Sequence, residues 1–190
     1  MATLELSVVV PTHNRRELLR ELLLALARQT LPAARYEVVV VVDGSTDGTR
    51  EMLAGLTVPY TLRVLEQEGA GPSAARNRGA RLAQGAVLVF LDDDLLPQPA
   101  LLEEHARVHR QDPRAVALGR LLPATRERKG GWNLWEERVL EGHYRAMQEG
   151  RRPPAGRRLY SGNFSLRREH FLAPEVGGFD ERLQRGEDVE

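Results

Sequence analysis

Val87-Leu-Val-Phe-Leu91 is a run of five apolar residues that leads directly into Asp92-Asp93-Asp94, then Leu95-Leu96 and Pro97. An apolar run of this length, bounded by Gly85 and by acids and a proline, reads as a strand in the middle of a parallel sheet, covered on both faces. Three adjacent carboxylates repel one another, so folding alone gives no reason to place them together. A divalent cation or a cationic ligand would give one: Mg²⁺ and Mn²⁺ favour hard oxygen ligands, and Mg²⁺ sites often combine one or two carboxylates with phosphate oxygens. The simpler alternative is a solvated acidic turn that caps a helix beginning near Gln98.

The rest of the chain repeats the strand–loop–helix pattern. Leu6 to Val10 reads as a short strand ended by Pro11, and Asn14 with Glu17 resembles a capping box before the leucines at 18, 19, 22, 23 and 26. That helix is expected to end near Thr30 and Pro32. Val38 to Val42 is five consecutive valines, a second strand buried on both faces. Thr61 to Leu65 is a third strand, Gly69-Ala-Gly-Pro72 a turn, and Ser73 to Gln84 an alanine-rich helix. A helix from about Pro99 to Gln111 follows the acids, then a strand over Ala115 to Leu122. The alternation argues for an α/β fold with right-handed crossovers. Beyond Pro123 two breaker-rich, basic stretches flank a helix over Trp132 to Gln148, whose Trp135, Val139, Leu140, Tyr144 and Met147 form one stripe. It reads as a core or lid helix, with membrane binding as the rival. Tyr160 to Leu166 is a last strand. Residues 1–122 thus form one half of the domain and 123–190 the other.

Composition limits the function classes. Basic and acidic residues balance at 27 each, so no global field points to nucleic acid or an anionic surface. The chain has no cysteine, which excludes disulfides, zinc–thiolate sites and a thiol nucleophile. No apolar run reaches the roughly 18 residues of a spanning helix. The expectation is a cytoplasmic protein, compatible with peripheral attachment at the inner face of a membrane.

In open α/β sheets the ligand crevice lies at the carboxyl ends of the strands. The loops there are Pro11 to Arg15, Asp43 to Thr49, Gly69 to Asn77 and Asp92 to Asp94, which offer small residues, helix N-termini, amides and acids. Seven segments, in this order, carry a resemblance: Val8-Val-Val-Pro-Thr-His-Asn-Arg15, Val42-Asp-Gly-Ser-Thr-Asp-Gly-Thr49, Gly71-Pro-Ser-Ala-Ala-Arg-Asn-Arg-Gly79, Val89-Phe-Leu-Asp-Asp-Asp94, Ser161-Gly-Asn163, Gly177-Gly-Phe-Asp-Glu181 and Gly186-Glu-Asp188. Together they resemble family 2 glycosyltransferases of the GT-A fold, an α/β architecture with a mainly parallel, Rossmann-like sheet and a smaller acceptor-side part.

The resemblance implies roles. Pro11, Thr12, Asn14 and Asp43 would hold the nucleotide, with Asp43 accepting from a uracil N–H, and Arg76 and Asn77 would line the same pocket. Asp92 and Asp94 would form the Asp-x-Asp pair, Asp94 as direct ligand of Mg²⁺ or Mn²⁺ and Asp92 nearer the ribose. Asn163 and Glu187 would face the sugars, and Asp188 matches the family's catalytic base. The family often has two acids before Gly-Ser; here Val42 takes the first position, so Asp43 is the one candidate. The implied partners are a UDP-linked sugar donor and a carbohydrate or lipid-linked acceptor, without nucleic acid. One base and one attack imply inversion at the anomeric carbon. The chain is expected to stop short of a helix that would follow Asp188, so a truncated, non-catalytic sugar-nucleotide-binding module is the alternative.

Other motifs compete. Gly69-x-Gly71-x-x-Ala74, with Asp92 about twenty residues on, mimics a dinucleotide fingerprint and makes an NAD-dependent oxidoreductase a rival, although Pro72 removes a donor from the would-be phosphate turn. Asp43-x-Ser45-x-Asp47-Gly48 mimics a calcium loop but has Ala54 where a bidentate Glu is required. His105 and His109 share a charged helix at i, i+4 and are expected to face solvent. Arg167-Arg168 and Arg151-Arg152 are expected to be solvated, with phosphate contact as the other option. His13 is expected to make a loop contact.

Overall fold

Five consecutive β-branched residues disfavour a helix, because each side chain loses rotamer freedom against the preceding turn. The valine run accordingly lies within β2 (Tyr36–Asp43), every residue of which is buried. The computed structural model describes residues 4–122, 131–151 and 160–182. Among these, β2 pairs in parallel with β1 (Leu6–Thr12) and β3 (Thr61–Gln67), and β1 with β4 (Val87–Leu91). The far edge reverses direction. β6 (Asn163–Arg167) runs antiparallel to β4, and β5 (Ala117–Leu118) antiparallel to β6, giving the order β3-β2-β1-β4-β6-β5. The second part of the chain therefore supplies a strand to the same sheet as the first.

Strand side chains alternate between faces, and the core divides accordingly. Leu6, Val8 and Val10 of β1, with Val38, Val40, Val87 and Val89, pack on Leu19, Leu22, Leu23 and Leu26 of α1 (Arg16–Leu26), Leu53 of α2 (Thr49–Gly55), and Leu102 and Ala106 of α4 (Leu101–Gln111). Val9, Leu88 and Phe90 face the other way, against Ala80 of α3 (Pro72–Leu82), Phe164 of β6 and Phe171 of α6 (Arg168–Phe171). The alanine-rich helix lies low on the sheet: a Cβ on Gly79 would come 2.6 Å from Val9 Cγ1. α5 (Gly131–Gln148) is held at Tyr144, which is buried and whose hydroxyl accepts from Leu121 N at 3.0 Å, whereas Trp135 is 56% exposed. Of the expected apolar stripe, Tyr144 is thus buried, Val139, Leu140 and Met147 are half-buried and Trp135 is exposed. Among the described residues no helix is long and apolar enough to cross a membrane.

Several expectations need correction. The Asn14–Glu17 capping box does not form. Asn14 sits at φ 52, its amide oxygen accepts from Thr46 N, and the first N–H of α1 goes to Asp47 Oδ2 at 2.8 Å. Asp47 Oδ1 also accepts from Thr49 N, so one carboxylate serves the first residue of both α1 and α2, where a negative charge is favoured. The helix ends at Leu26 rather than near Thr30, whose N–H bonds to Pro99 O. The strand expected over Ala115 to Leu122 shrinks to two residues, a short edge that resists pairing with other chains. Arg168 donates to Ala80 O and Arg81 O at the end of α3, and Arg167 to His109 O near the end of α4, so both serve helix C-termini.

His105 and His109 are buried, not solvent-facing. The charges of α4 occupy its outer side, and the histidines face β6. His105 Nε2–H donates to Asn163 Oδ1, which leaves Nδ1 to accept from the Ser165 hydroxyl; Ser165 Oγ in turn accepts from His109 Nε2–H. This chain suits two neutral rings. Burial, the largest cause, lowers the pKa of both below the ordinary 6.5. The unfolded chain therefore takes up protons first, and stability present above pH 6.5 is lost as the pH falls below it. The expected slope is up to about 1.4 kcal/mol per pH unit per histidine. The carboxylates with lowered pKa, Glu5, Asp47 and Asp180, act below 4.5, 3.8 and 3.8 and fall outside that window. Urea midpoints at pH 7.5 and 5.5 check this, and His109→Gln should flatten the difference; a midpoint that does not move with pH refutes it.

Candidate active site

Because β1, β2 and β4 run in parallel, the loops that follow them share one edge of the sheet. β1 ends at Thr12, β2 at Asp43 and β4 at Leu91, immediately before the three acids.

The acids divide by exposure. Asp93 turns inward: its side chain is 6% exposed, Oδ2 accepts from the Thr12 hydroxyl at 2.7 Å, and Oδ1 from Arg15 Nη1 at 3.1 Å. Burial raises its pKa, against the lowering effect of Thr12 and Arg15. Asp92 and Asp94 have side chains 39% and 45% exposed. Asp92 Oδ1 accepts from Arg76 Nη2 at 2.7 Å, and Asp94 Oδ2 from Arg15 Nη1 at 2.9 Å. Asp92 also needs the glycine beside it, since a Cβ on Gly162 would lie 2.6 Å from Asp92 Oδ2. Three carboxylates therefore meet two guanidinium groups, and the pair left accessible is the outer one. Mg²⁺ or Mn²⁺ is commonly held by one or two carboxylates with the remaining ligands from phosphate and water, and Asp92 and Asp94 fit that requirement. Among the described residues no group of three or more acids and histidines forms a closed metal site, and a cation shared with a diphosphate does not require one.

Asp43 is 7% exposed and already organises its surroundings. Its Oδ1 accepts from Gln67 Nε2 and Ala70 N, and its Oδ2 from Gly71 N, each at 2.8 Å. The N–H groups of the Gly69–Gly71 turn that a dinucleotide pyrophosphate would need are thus committed to Asp43, which removes the basis of the oxidoreductase reading. His13 Nδ1–H donates to Asp43 O and its Nε2 accepts from Asn14 Nδ2, the expected loop contact. Pro11 is half-buried at the end of β1, and Asn14 is exposed in the loop beside Ser45 and Thr46.

Arg76 and Asn77 lie at the same edge but turn toward a segment distant in sequence. The Arg76 guanidinium, joined to Asp92, sits 5.5 Å from the Phe179 ring. Asn77 Nδ2 donates to Phe179 O and Glu181 Oε1, and its Oδ1 accepts from Phe179 N, each at 2.9 Å. The side chain of Asn77 is a clasp for the 177–181 turn rather than an open pocket wall. Asn163, expected at the sugars, is 4% exposed; its amide bonds His105 and Arg120 O, so it reaches a ligand only by breaking those contacts. Glu187 and Asp188 lie outside the described residues.

Sequence reasoning missed Arg15. Its contacts with Asp93 and Asp94 span 78 and 79 residues, and nothing in local spacing signals them. It also missed the Thr12–Asp93 bond, although a hydroxyl ending one strand beside the acids ending its neighbour is the available clue.

The family model described as Glycosyl transferase family 2 matches residues 7–172. Glycosyltransferase AglE of Haloferax volcanii is 42% identical over 99 residues, covering 51% of this chain and 33% of that protein. Staphylococcus aureus TarS 1–349 in complex with UDP-GlcNAc superposes with a TM-score of 0.73 at 24% identity, over 98% of this chain and 51% of that one. The mannosyltransferase PcManGT from Pyrobaculum calidifontis, in complex with GDP-Man and Mn²⁺, gives 0.76 at 24% identity, over 97% and 49%. The chain spans about a third of the first relative and about half of each solved structure.

Proposed function

This chain belongs to glycosyl transferase family 2, and from that premise we propose that it binds a nucleoside-diphosphate sugar at the carboxyl edge of its sheet and transfers the sugar, with inversion, to an acceptor hydroxyl. The observation that carries this is the division of the acids: Asp93 is buried on Thr12, while Asp92 and Asp94 stay accessible beside the Asp43 loop. The fold neighbours bind UDP-GlcNAc in one case and GDP-Man with Mn²⁺ in the other, which supports a nucleotide sugar as donor. UDP is the base proposed here, with Asp43 at its N–H, and a carbohydrate or lipid-linked molecule is the acceptor.

The proposed roles follow from the chemistry. Asp92 and Asp94 hold Mg²⁺ or Mn²⁺ together with the diphosphate. When bound, such a cation supplies Lewis-acid stabilisation of the charge that grows on the departing nucleoside diphosphate. The buried Thr12 hydroxyl fixes the middle acid and thereby the backbone that presents its neighbours. Asp188 takes the proton from the acceptor hydroxyl as it attacks.

Isothermal titration of UDP with Mn²⁺ and then with EDTA tests the donor site. Affinity is expected to fall roughly ten-fold or more on chelation, which corresponds to about 1.4 kcal/mol, and Asp94→Ala should reproduce the loss without EDTA. Equal affinities in both buffers remove the metal assignment. GDP titrated in parallel fixes the base.

A further inference from the structure

We infer that Arg15 is a built-in counter-ion occupying the place of the donor's divalent cation, so that a cation reaches Asp94 only as the Arg15 guanidinium leaves it. The inference rests on the metal-assisted reading above. A single nitrogen, Arg15 Nη1, lies 3.1 Å from Asp93 Oδ1 and 2.9 Å from Asp94 Oδ2. Magnesium sits about 2.0–2.1 Å from its oxygen ligands, so a cation on Asp94 Oδ2 would stand within a few ångströms of that nitrogen. Two positive centres that close repel strongly in a partly desolvated site.

The two arginines of the site differ in their freedom to move. Arg76 is 4% exposed and packed against Phe179, so its charge stays on Asp92. The Arg15 side chain is 49% exposed and swings into water at little desolvation cost. Its backbone, by contrast, is fixed on both sides: Asn14 N donates to Ser45 Oγ and Arg16 N to Asp47 Oδ2. Arg16 pairs with Glu17 and does not stand in for its neighbour. The arrangement has a fixed backbone and one exchangeable charge, which keeps three adjacent carboxylates compensated when the metal is away and lowers the affinity for metal as it does so.

The test measures metal uptake directly. Mn²⁺ is titrated into the full chain, with and without UDP, and free Mn²⁺ is read by electron paramagnetic resonance. R15Q is expected to bind Mn²⁺ at least about five-fold tighter than wild type, the low end of ordinary coupling between two binding events, and R15K, which keeps the charge, to stay near wild type. A second measurement needs no loss of the arginine: in wild type the Arg15 Nε–H resonance should shift and lose protection from exchange when Mg²⁺ and UDP are added. R15Q binding no tighter than a wild type that does take up Mn²⁺ overturns the inference and leaves the metal reading intact. An Arg15 resonance that stays unmoved at saturating Mg²⁺ and UDP does the same, even if R15Q does not fold. No Mn²⁺ uptake by any of the three proteins overturns both.

Discussion

Replacing Asp188 by Asn in the full-length protein slows sugar transfer by ~10²-fold or more and leaves the affinities for UDP and Mn²⁺ within about two-fold of wild type. The amide keeps the shape of the carboxylate and cannot take the proton of an attacking hydroxyl, so the loss falls on the transition state alone. The described residues give this proposal a starting point. Asn77 fastens the 177–181 turn to α3 by three hydrogen bonds, and the adjacent Arg76 holds Asp92. The 177–181 turn is therefore fastened to the helix that also carries Arg76, the partner of Asp92. Transfer rate and UDP affinity, measured on the same variant, separate the outcomes. Wild-type transfer sinks the catalytic assignment, and lost UDP binding moves Asp188 into the donor site.

Asp43→Asn is expected to weaken UDP binding roughly ten-fold or more, and also to lower the melting temperature of the free protein. A charge-assisted hydrogen bond from a uracil N–H is worth about 1.5–3 kcal/mol, which sets the first effect. The second follows from the bonds Asp43 makes within the protein. Its two oxygens accept from Gln67 Nε2, Ala70 N and Gly71 N, and an amide NH₂ in place of either oxygen sets donor against donor, at about 1–3 kcal/mol for the stranded group. Gln67→Ala separates the two, because it removes one of those bonds and leaves the carboxylate. If Asp43→Asn melts earlier but binds UDP as tightly as wild type, the residue is a loop anchor and not a base contact.

The strands of the central sheet were legible wherever burial on both faces wrote itself as an unbroken apolar run, as in Val38–Val42 and Val87–Leu91. The positions of the acids followed, since a parallel sheet brings the ends of its strands together. Edge elements were less legible. β3 alternates in exposure and extends two residues past the expected end, and the strand after α4 is only Ala117–Leu118, paired with Ser165 and Phe164. The histidines of α4 were misread for a physical reason: on a helix with Glu103, Glu104, Arg107 and Arg110, local sequence says surface. Ser165 and Asn163, which make burial acceptable, come from a strand more than fifty residues away. Arg15, Asn77 and Asp47 follow the same rule. Each is spent on a partner that only the folded chain brings near, so residue type announced polarity without direction.

The antiparallel insertion of β6 also has a consequence for how the chain comes off the ribosome. β1 to β4 are complete once Leu91 has been made, but the open side of β4 finds its neighbour only in Asn163–Arg167. At about 5–20 residues per second, the nascent protein spends several seconds with the edge of a wholly apolar strand, Val87–Leu91, unpaired. That strand ends in Asp92, Asp93 and Asp94. In the finished fold Arg15 and Arg76 offset their mutual repulsion; on the unpaired edge the same charges oppose the parallel pairing of one half-made sheet with another, which would bring them into register. The acids at the site thus stand where flanking charges guard an unavoidable apolar strand.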